Sequence, residues 1–194
     1  MKGCRPLSED EVELIRQSFG GTYGLRDRPL CVLGLKSGFR ISELLSLRVG
    51  DVYQHGRMVE RVTVQRRHMK QKLEGCTVVL HPEAKAALAD WLMRLQQLAQ
   101  MTPRTYVLQS RKGINQPIGK IQAWKILHEA ASPNELTGKL GTHMMRKTFA
   151  DRVYHQPNRD LVKTQRAMGH KNINSTVASL SFVEDEIDQA ILAS

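Results

Sequence analysis

The 194-residue chain has few aromatic residues, 5% of the total, and three cysteines: Cys4, Cys31 and Cys76. So few aromatics argue against a stacking platform for single-stranded nucleic acid. The cysteines are odd in number and none pairs at C-x-x-C spacing, which argues against a disulfide framework and a cysteine zinc site. No apolar run reaches the roughly 18 residues of a membrane-spanning helix. The opening residues, MKGCRPLSEDEVEL, lack the apolar stretch of a secretory signal. There is no internal repeat, low-complexity tract or linker. The cysteine pattern fits a reducing cytoplasm. Acid is the scarcer charge. Against 29 Lys and Arg stand 19 Asp and Glu, a formal net charge of +10 and an isoelectric point near 9.8.

What is present suits one globular domain: 41% of residues are hydrophobic and 25% charged, within the range of chains that bury a core. Strong basicity in such a domain reads either as the electrostatic footprint of a nucleic-acid binder or as a basic but otherwise ordinary soluble protein. With aromatics scarce, the duplex phosphate backbone is the favoured contact.

Local patterns predict a mainly helical fold with a small antiparallel sheet. Ser8 followed by Glu11 reads as a capping box opening a helix over 6–18, with Val12 and Ile15 on its apolar stripe. Gly20, Gly21 and Gly24 read as breakers. Pro29 suits the first turn of a buried helix over 28–37 that Gly38 ends. A short helix is expected over 41–48, with Leu44, Leu45 and Leu47 inward and Gly50 and Asp51 closing it. The period then changes to alternation over 58–68, a strand signal. Residues 69–75 read as a hairpin loop and 76–80 as the return strand. A long amphipathic helix spans 81–100, a short third strand 106–110, and helices 117–131 and 142–156. Another helix ends at Met168-Gly169-His170. In the tail, Val183, Ile187, Ala190 and Ile191 fall at helical spacing.

Four short constellations carry chemical content. In Gly38-Phe39-Arg40-Ile41-Ser42-Glu43, a cation stands where a helix begins, against the macrodipole. It reads as a surface arginine or as a guanidinium fork aimed at a phosphate, with Glu43 steadying it one turn on. In Thr142-His143-Met144-Met145-Arg146, His143 and Arg146 share a helix face and pair a proton shuttle with an anion holder. In Met168-Gly169-His170, a histidine follows a helix-ending glycine, a pattern that also describes a plain C-cap. Lys70, with Lys72 as the second candidate, lies at the tip of the basic hairpin.

Each of these is weak alone, but in this order and spacing they resemble the catalytic domain of the tyrosine recombinases, the phage-integrase family. That family carries an Arg in a G-x-R-x-x-E-L context, a Lys on a β-hairpin, H-x-x-R about a hundred residues on, then L-G-H. The likeness runs from about Leu7 to the C-terminus. It implies a DNA breaking-rejoining catalytic-domain fold over residues 1–194 as a single domain, without the N-terminal helical arm that clamps DNA in the family.

In the family pattern a tyrosine nucleophile lies three residues after a Thr. Here His170, Ile173 and Thr176 match, and Ser179 stands where the Tyr is expected. Tyr23, Tyr53, Tyr106 and Tyr154 all precede His170. The expectation is that Ser179 replaces a tyrosine, by engineering or by natural decay. By resemblance, Arg40 and Arg146 neutralise the non-bridging phosphate oxygens. His143 acts as general base and Lys70 (or Lys72) as general acid. His170 hydrogen-bonds the phosphoryl oxygen. Arg66, Arg67, Lys72, Lys147 and Lys171 are expected on the DNA backbone.

The reaction conserves bond energy in a 3′-phosphotyrosyl link, so no cofactor or metal is implied. The implied partners are double-stranded DNA and further copies of the chain. These would form a tetramer on DNA through the C-terminal segment bearing Val183, Ile187 and Ile191. The implied setting is the cytoplasm of a bacterium, an archaeon or a phage host, at the nucleoid. As written, the chain is expected to bind duplex without cleaving it. The other reading is a non-catalytic DNA-binding regulator or recombination decoy of the same fold.

Overall fold

The computed structural model describes residues 4–64, 76–134, 136, 140–157 and 159–180. The first helix, α1 (Glu9–Gln17), starts as its sequence dictates. Ser8 Oγ accepts from the Glu11 backbone N–H at 3.2 Å, and Glu11 Oε2 accepts from the Ser8 N–H at 2.9 Å. These reciprocal bonds satisfy donors that a helix start leaves orphaned. Val12 and Ile15 are the buried residues of α1.

Helix α2 (Gly24–Ser37) is the centre of the molecule. Leu30, Cys31, Val32, Leu33 and Leu35 are all buried, the signature of a helix enclosed on every side. It packs chiefly on α5 (Pro82–Gln97) and α7 (His143–Tyr154). It begins a full turn earlier than its sequence suggests: Gly24 is its first residue and not a breaker, and Pro29 lies inside it. Burial pushes the Cys31 thiol up to about 12, so this cysteine is a small apolar filler of the core.

Gly38 ends α2 in the left-handed region, with φ +63°. Next comes α3 (Ile41–Ser46), then a turn of helix, α4 (Val49–Val52), that contains Gly50 and Asp51 instead of stopping at them. Leu44, Leu45 and Leu47 are buried as expected.

Two small antiparallel ladders follow. The first, β1 (Tyr53–Gln54) with β2 (Arg57–Met58), turns through His55 and Gly56, both at positive φ. The second pairs β3 (Arg61–Val64) with β4 (Cys76–Val79) in the register Arg61–Val79 to Val64–Cys76. Within β3, Val62 and Val64 are buried and Arg61 and Thr63 exposed, the alternation of a half-buried strand. The strand expected over 58–68 thus starts at Arg61, and Met58 belongs to the preceding hairpin. The hairpin loop and residues 65–68 lie outside the described residues.

Helix α5 opens on Pro82, with His81 Nδ1 accepting from the Glu83 N–H at 3.2 Å. Its buried stripe is Ala84, Ala87, Leu88, Leu92 and Leu95. Glu83 takes Lys36 at 2.9 Å and Arg16 at 3.0 Å, tying α5 to α2 and α1.

Residues 106–110 do not form a strand. They touch the rest of the backbone through isolated bridges, Arg48 to Tyr106 and Gln109 to Pro117. Val107 and Leu108 are both wholly buried, unlike the alternation of a half-buried strand such as β3. Trp91 Nε1 donates to the Val107 carbonyl at 2.6 Å and holds the segment against α5.

Helix α6 (Lys120–Ala131) precedes α7. Helix α8 (Leu161–Met168) is capped by the Asp160 carboxylate, which accepts from Val162 N–H at 2.8 Å and Lys163 N–H at 2.9 Å. Helix α9 (Ile173–Val177), which the sequence did not suggest, begins at Asn172, whose side chain accepts from the Asn174 N–H at 2.8 Å. The main core runs from α1 to α7. A separate small cluster of Ala150, Met168 and Leu180, with Phe149, Tyr154 and Leu161 against it, joins α7, α8 and the residues after α9. No helix of the described residues is long and apolar enough to cross a membrane. The tail pattern at Val183, Ile187, Ala190 and Ile191 lies outside the described residues.

Candidate active site

Arg146 is the hub. It sits one turn into α7 and is 7% exposed, so its guanidinium has lost most of its water. Such a charge is stable only where protein acceptors replace that water. Its Nη1 donates to the Gly38 carbonyl. Its Nη2 donates to the Met168 carbonyl at 2.9 Å and to His170 Nε2 at 2.8 Å. Gly38 O lies two residues before Arg40, and Met168 O two residues before His170. One side chain therefore draws together the end of α2, the start of α7 and the end of α8. Hydrogen bonds from a charged donor contribute about 1.5–3 kcal/mol each, so the hub is a structural tie as well as a positive centre.

The backbone at both tied carbonyls is shaped for this. Gly38 and Gly169 each adopt left-handed φ, +63° and +58°, and turn the chain sharply at a helix end. A Cβ on Gly38 would lie 2.4 Å from Cδ1 of Phe149, so glycine is required by space as well as by conformation. After Gly169, the His170 N–H donates to the Gln165 carbonyl at 3.0 Å. Gln165 Nε2 in turn donates to the carbonyls of His170 (3.1 Å) and Lys171 (3.2 Å). Gln165 thus clamps the histidine loop to α8, a role with no signal in the sequence.

Arg40 is the N-cap residue of α3, in extended conformation. Its backbone N–H donates to Glu43 Oε2 at 2.7 Å, and its Nη1 donates to Glu43 Oε1 at 3.0 Å. The Glu43 side chain is 9% exposed and that of Arg40 41%. Glu43 therefore does two things: it satisfies the helix start, where a carboxylate suits the macrodipole, and it orients the arginine. The guanidinium keeps a solvent-facing portion able to meet an anion.

His143 is the first residue of α7 and is exposed, one turn from Arg146. Thr142 occupies the N-cap position but makes no side-chain cap bond. Lys147 is half-buried and Lys171 exposed. His170 Nδ1 lies 3.0 Å from Thr176 Oγ1, whose residue is wholly buried. Ser179 follows α9, its Oγ donating to the Ser175 carbonyl at 2.8 Å. Leu180, 1% exposed, anchors the next position in the small cluster.

The structure thus brings together the Gly38–Arg40 turn, Arg146 and His170, and links the segment carrying Ser179 to them through Thr176. Arg66, Arg67, Lys70 and Lys72 lie outside the described residues.

The chain has known relatives. The phage integrase family model matches residues 5–179. The chain belongs to the phage integrase family. Among curated relatives, the probable integrase/recombinase YoeC of Bacillus subtilis is 29% identical over 160 residues, covering 82% of this chain and 80% of its own length. The tyrosine recombinase XerD of Mycobacterium leprae is 30% identical over 184 residues, 89% of this chain and 55% of its own length.

The chain spans about half the length of the XerC and XerD proteins it matches. Among solved structures, XerA recombinase superposes with a TM-score of 0.78 at 18% identity, covering 100% of this chain and 66% of that one. The catalytic domain of bacteriophage HP1 integrase gives 0.58 at 16% identity, covering 91% and 87%. These likenesses establish the integrase catalytic-domain fold, mainly helical with small antiparallel sheets.

Proposed function

We propose that this domain binds duplex DNA and holds a phosphodiester between Arg40, Arg146 and His170, as the phosphate pocket of a site-specific recombinase. The observation that carries this reading is the Arg146 hub, which gathers the G-x-R, H-x-x-R and G-H motifs into one site. A structural neighbour, XerH recombinase bound to its difH substrate, superposes with a TM-score of 0.70 at 21% identity, covering 98% of this chain and 55% of that one. The +10 net charge supports backbone contact with DNA. The expected backbone contacts are Arg66, Arg67, Lys72, Lys147 and Lys171.

In the complete reaction a nucleophilic hydroxyl attacks phosphorus and displaces the 5′-oxygen of the adjoining nucleotide. His143 takes the nucleophile's proton, and Lys70 (or Lys72) supplies one to the leaving oxygen. Arg40 and Arg146 offset the charge of the five-coordinate phosphorus. With a tyrosine at position 179 the product is a 3′-phosphotyrosyl link, reversed when another 5′-hydroxyl attacks.

Ser179 does not serve here. Its side chain is several ångströms shorter than a tyrosine's, and its hydroxyl is far less acidic than a phenol, whose reference pKa is about 10. Its proton is directed to the Ser175 carbonyl. The chain as written binds duplex without forming a covalent adduct.

A nicked suicide duplex, followed by a denaturing gel, tests this. No shifted band is expected with the chain as it stands, and an adduct is expected for Ser179→Tyr. A covalent band from the serine form would overturn the nucleophile assignment. A folded, DNA-binding Ser179→Tyr variant that makes no adduct on its own site would favour the regulator or decoy reading. Assembly into a tetramer through the C-terminal segment belongs to the same proposal. Tail deletion should abolish higher-order complexes on target DNA by size exclusion.

A further inference from the structure

Beside the phosphate pocket lies a chain of three side chains on three elements: Arg146 on α7, His170 after α8, and Thr176 on α9. Arginine has N–H donors and no acceptor, and it keeps its proton in proteins. The 2.8 Å bond from Arg146 Nη2 to His170 Nε2 therefore requires a lone pair on Nε2. A neutral imidazole with a bare Nε2 carries its proton on Nδ1. That nitrogen lies 3.0 Å from Thr176 Oγ1, which must then accept.

Thr176 is wholly buried, and its own backbone carbonyl accepts from the N–H groups of Ser179 and Leu180 at 2.9 and 3.2 Å. Its backbone is thus fixed in the turn that sets position 179, and burial confines its hydroxyl beside the His170 ring.

We infer that Thr176 is a positioning residue that locks His170 in the Nδ1–H tautomer, with the Nε2 lone pair turned toward Arg146 and the pocket. This deepens the phosphate-pocket reading and rests on it for its purpose, though not for its test. The lock settles what His170 can offer a phosphate. In the resting site Nε2 is an acceptor and satisfies Arg146. When a phosphate oxygen takes over Arg146 Nη2, Nε2 becomes a donor only by gaining a proton. The Nδ1–H to Thr176 bond is the same in both states, so the ring need not turn. A hydroxyl at position 176 is therefore a fixed acceptor behind a nitrogen whose role changes. It also couples the histidine loop to the segment that bears the nucleophile position.

The test is nitrogen-15 NMR of histidine-labelled full chain without DNA, read through two-bond couplings that distinguish the tautomers. His170 is assigned by its loss in His170→Gln. The wild-type chain should show a protonated Nδ1 and a bare Nε2. Thr176→Ser keeps the acceptor and should retain that pattern. Thr176→Val fills the same space without it and should shift the ring toward Nε2–H or a mixture.

A wild-type spectrum with Nε2 protonated and Nδ1 bare overturns the inference before any variant is made. A folded Thr176→Val chain that keeps the wild-type pattern overturns it as well. So does a folded Thr176→Ser chain that loses the pattern. A duplex titration at fixed salt separates the two layers. Affinity several-fold weaker for Thr176→Val than for Thr176→Ser supports both the lock and the pocket. A changed tautomer with unchanged affinity supports the lock and counts against the pocket.

Discussion

Gly38→Ala makes two costs fall on one atom, and their sizes can be separated. The glycine has φ +63°, and its added Cβ would lie 2.4 Å from Cδ1 and 2.6 Å from Cε1 of Phe149. An L-residue in the left-handed region costs about 1–2 kcal/mol. Forcing an aromatic ring aside in packed surroundings adds about 1–3 kcal/mol. Together the expected loss is about 2–5 kcal/mol, a large share of the roughly 5–15 kcal/mol that holds a domain together.

Gly21 supplies the control: its φ is +67°, but nothing lies within 4 Å of its would-be Cβ. Gly21→Ala should cost only the backbone term, about 1–2 kcal/mol. Urea titrations followed by circular dichroism would give both values from midpoints at a common slope. The double variant Gly38→Ala with Phe149→Ala should recover the crowding part as a coupling energy. Because Gly38 O accepts from Arg146, duplex affinity should also fall under conditions where the variant is fully folded. If Gly38→Ala proves no costlier than Gly21→Ala, the account of this turn as sterically fixed by Phe149 is wrong.

Trp91→Phe removes the 2.6 Å bond to the Val107 carbonyl. It should cost about 1 kcal/mol or more, seen as a lower urea midpoint and faster amide exchange over 106–110. Cys31, wholly buried with its thiol near 12, should resist a thiol reagent that labels the half-buried Cys4 and Cys76; native-state labelling of Cys31 by mass spectrometry would contradict its core placement. Acid should weaken the contacts that α1 makes with its neighbours. Hydrogen bonds from Arg152, Arg5 and Lys36 hold Glu9, Glu11 and Glu83, respectively, below the ordinary carboxylate range. Groups whose folded pKa is depressed contribute stability that is complete above the unfolded value, about 4.3, and is lost as pH falls through the folded values. Each pair is solvent-facing enough to contribute about 1 kcal/mol or less. The melting temperature should therefore be flat above about pH 5 and decline below about pH 4, and a decline confined to alkaline pH would refute the assignment.

The parts legible in the sequence were those written in neighbouring residues. The Ser8–Glu11 box and Gly38 and Gly169 at helix ends are all local devices, and the structure holds each of them. Residues 106–110 carry a strand-like sequence in Tyr106, Val107 and Leu108 without forming a strand. Their backbone is occupied by the isolated bridges and by Trp91 from a distant helix. Helix α9 has too few residues, five, to show a periodic pattern in the sequence, and its start is held by the Asn172 side chain.

The candidate site divides in the same way. The identities of Arg40, His143, Arg146 and His170 were visible as motifs. What joins them was not, since Arg146 reaches carbonyls 108 and 22 residues away, contacts that no spacing rule encodes. Gln165 looks like any polar helix residue until the loop it clamps is in view.

Position 179 is built differently from the rest of the pocket. Arg146 ties three turns together, Glu43 is at once cap and partner, and His170 is bonded on both sides. Among the described residues, Ser179 gives its hydroxyl to a carbonyl one turn back, while Leu180 beside it is buried in the small cluster. Selection for a well-folded protein would therefore act more strongly on Arg146 and Glu43 of the proposed phosphate pocket than on position 179. Under the proposed function, a lineage whose members need only to occupy DNA would change position 179 at small cost to stability, and a single substitution would return a tyrosine there.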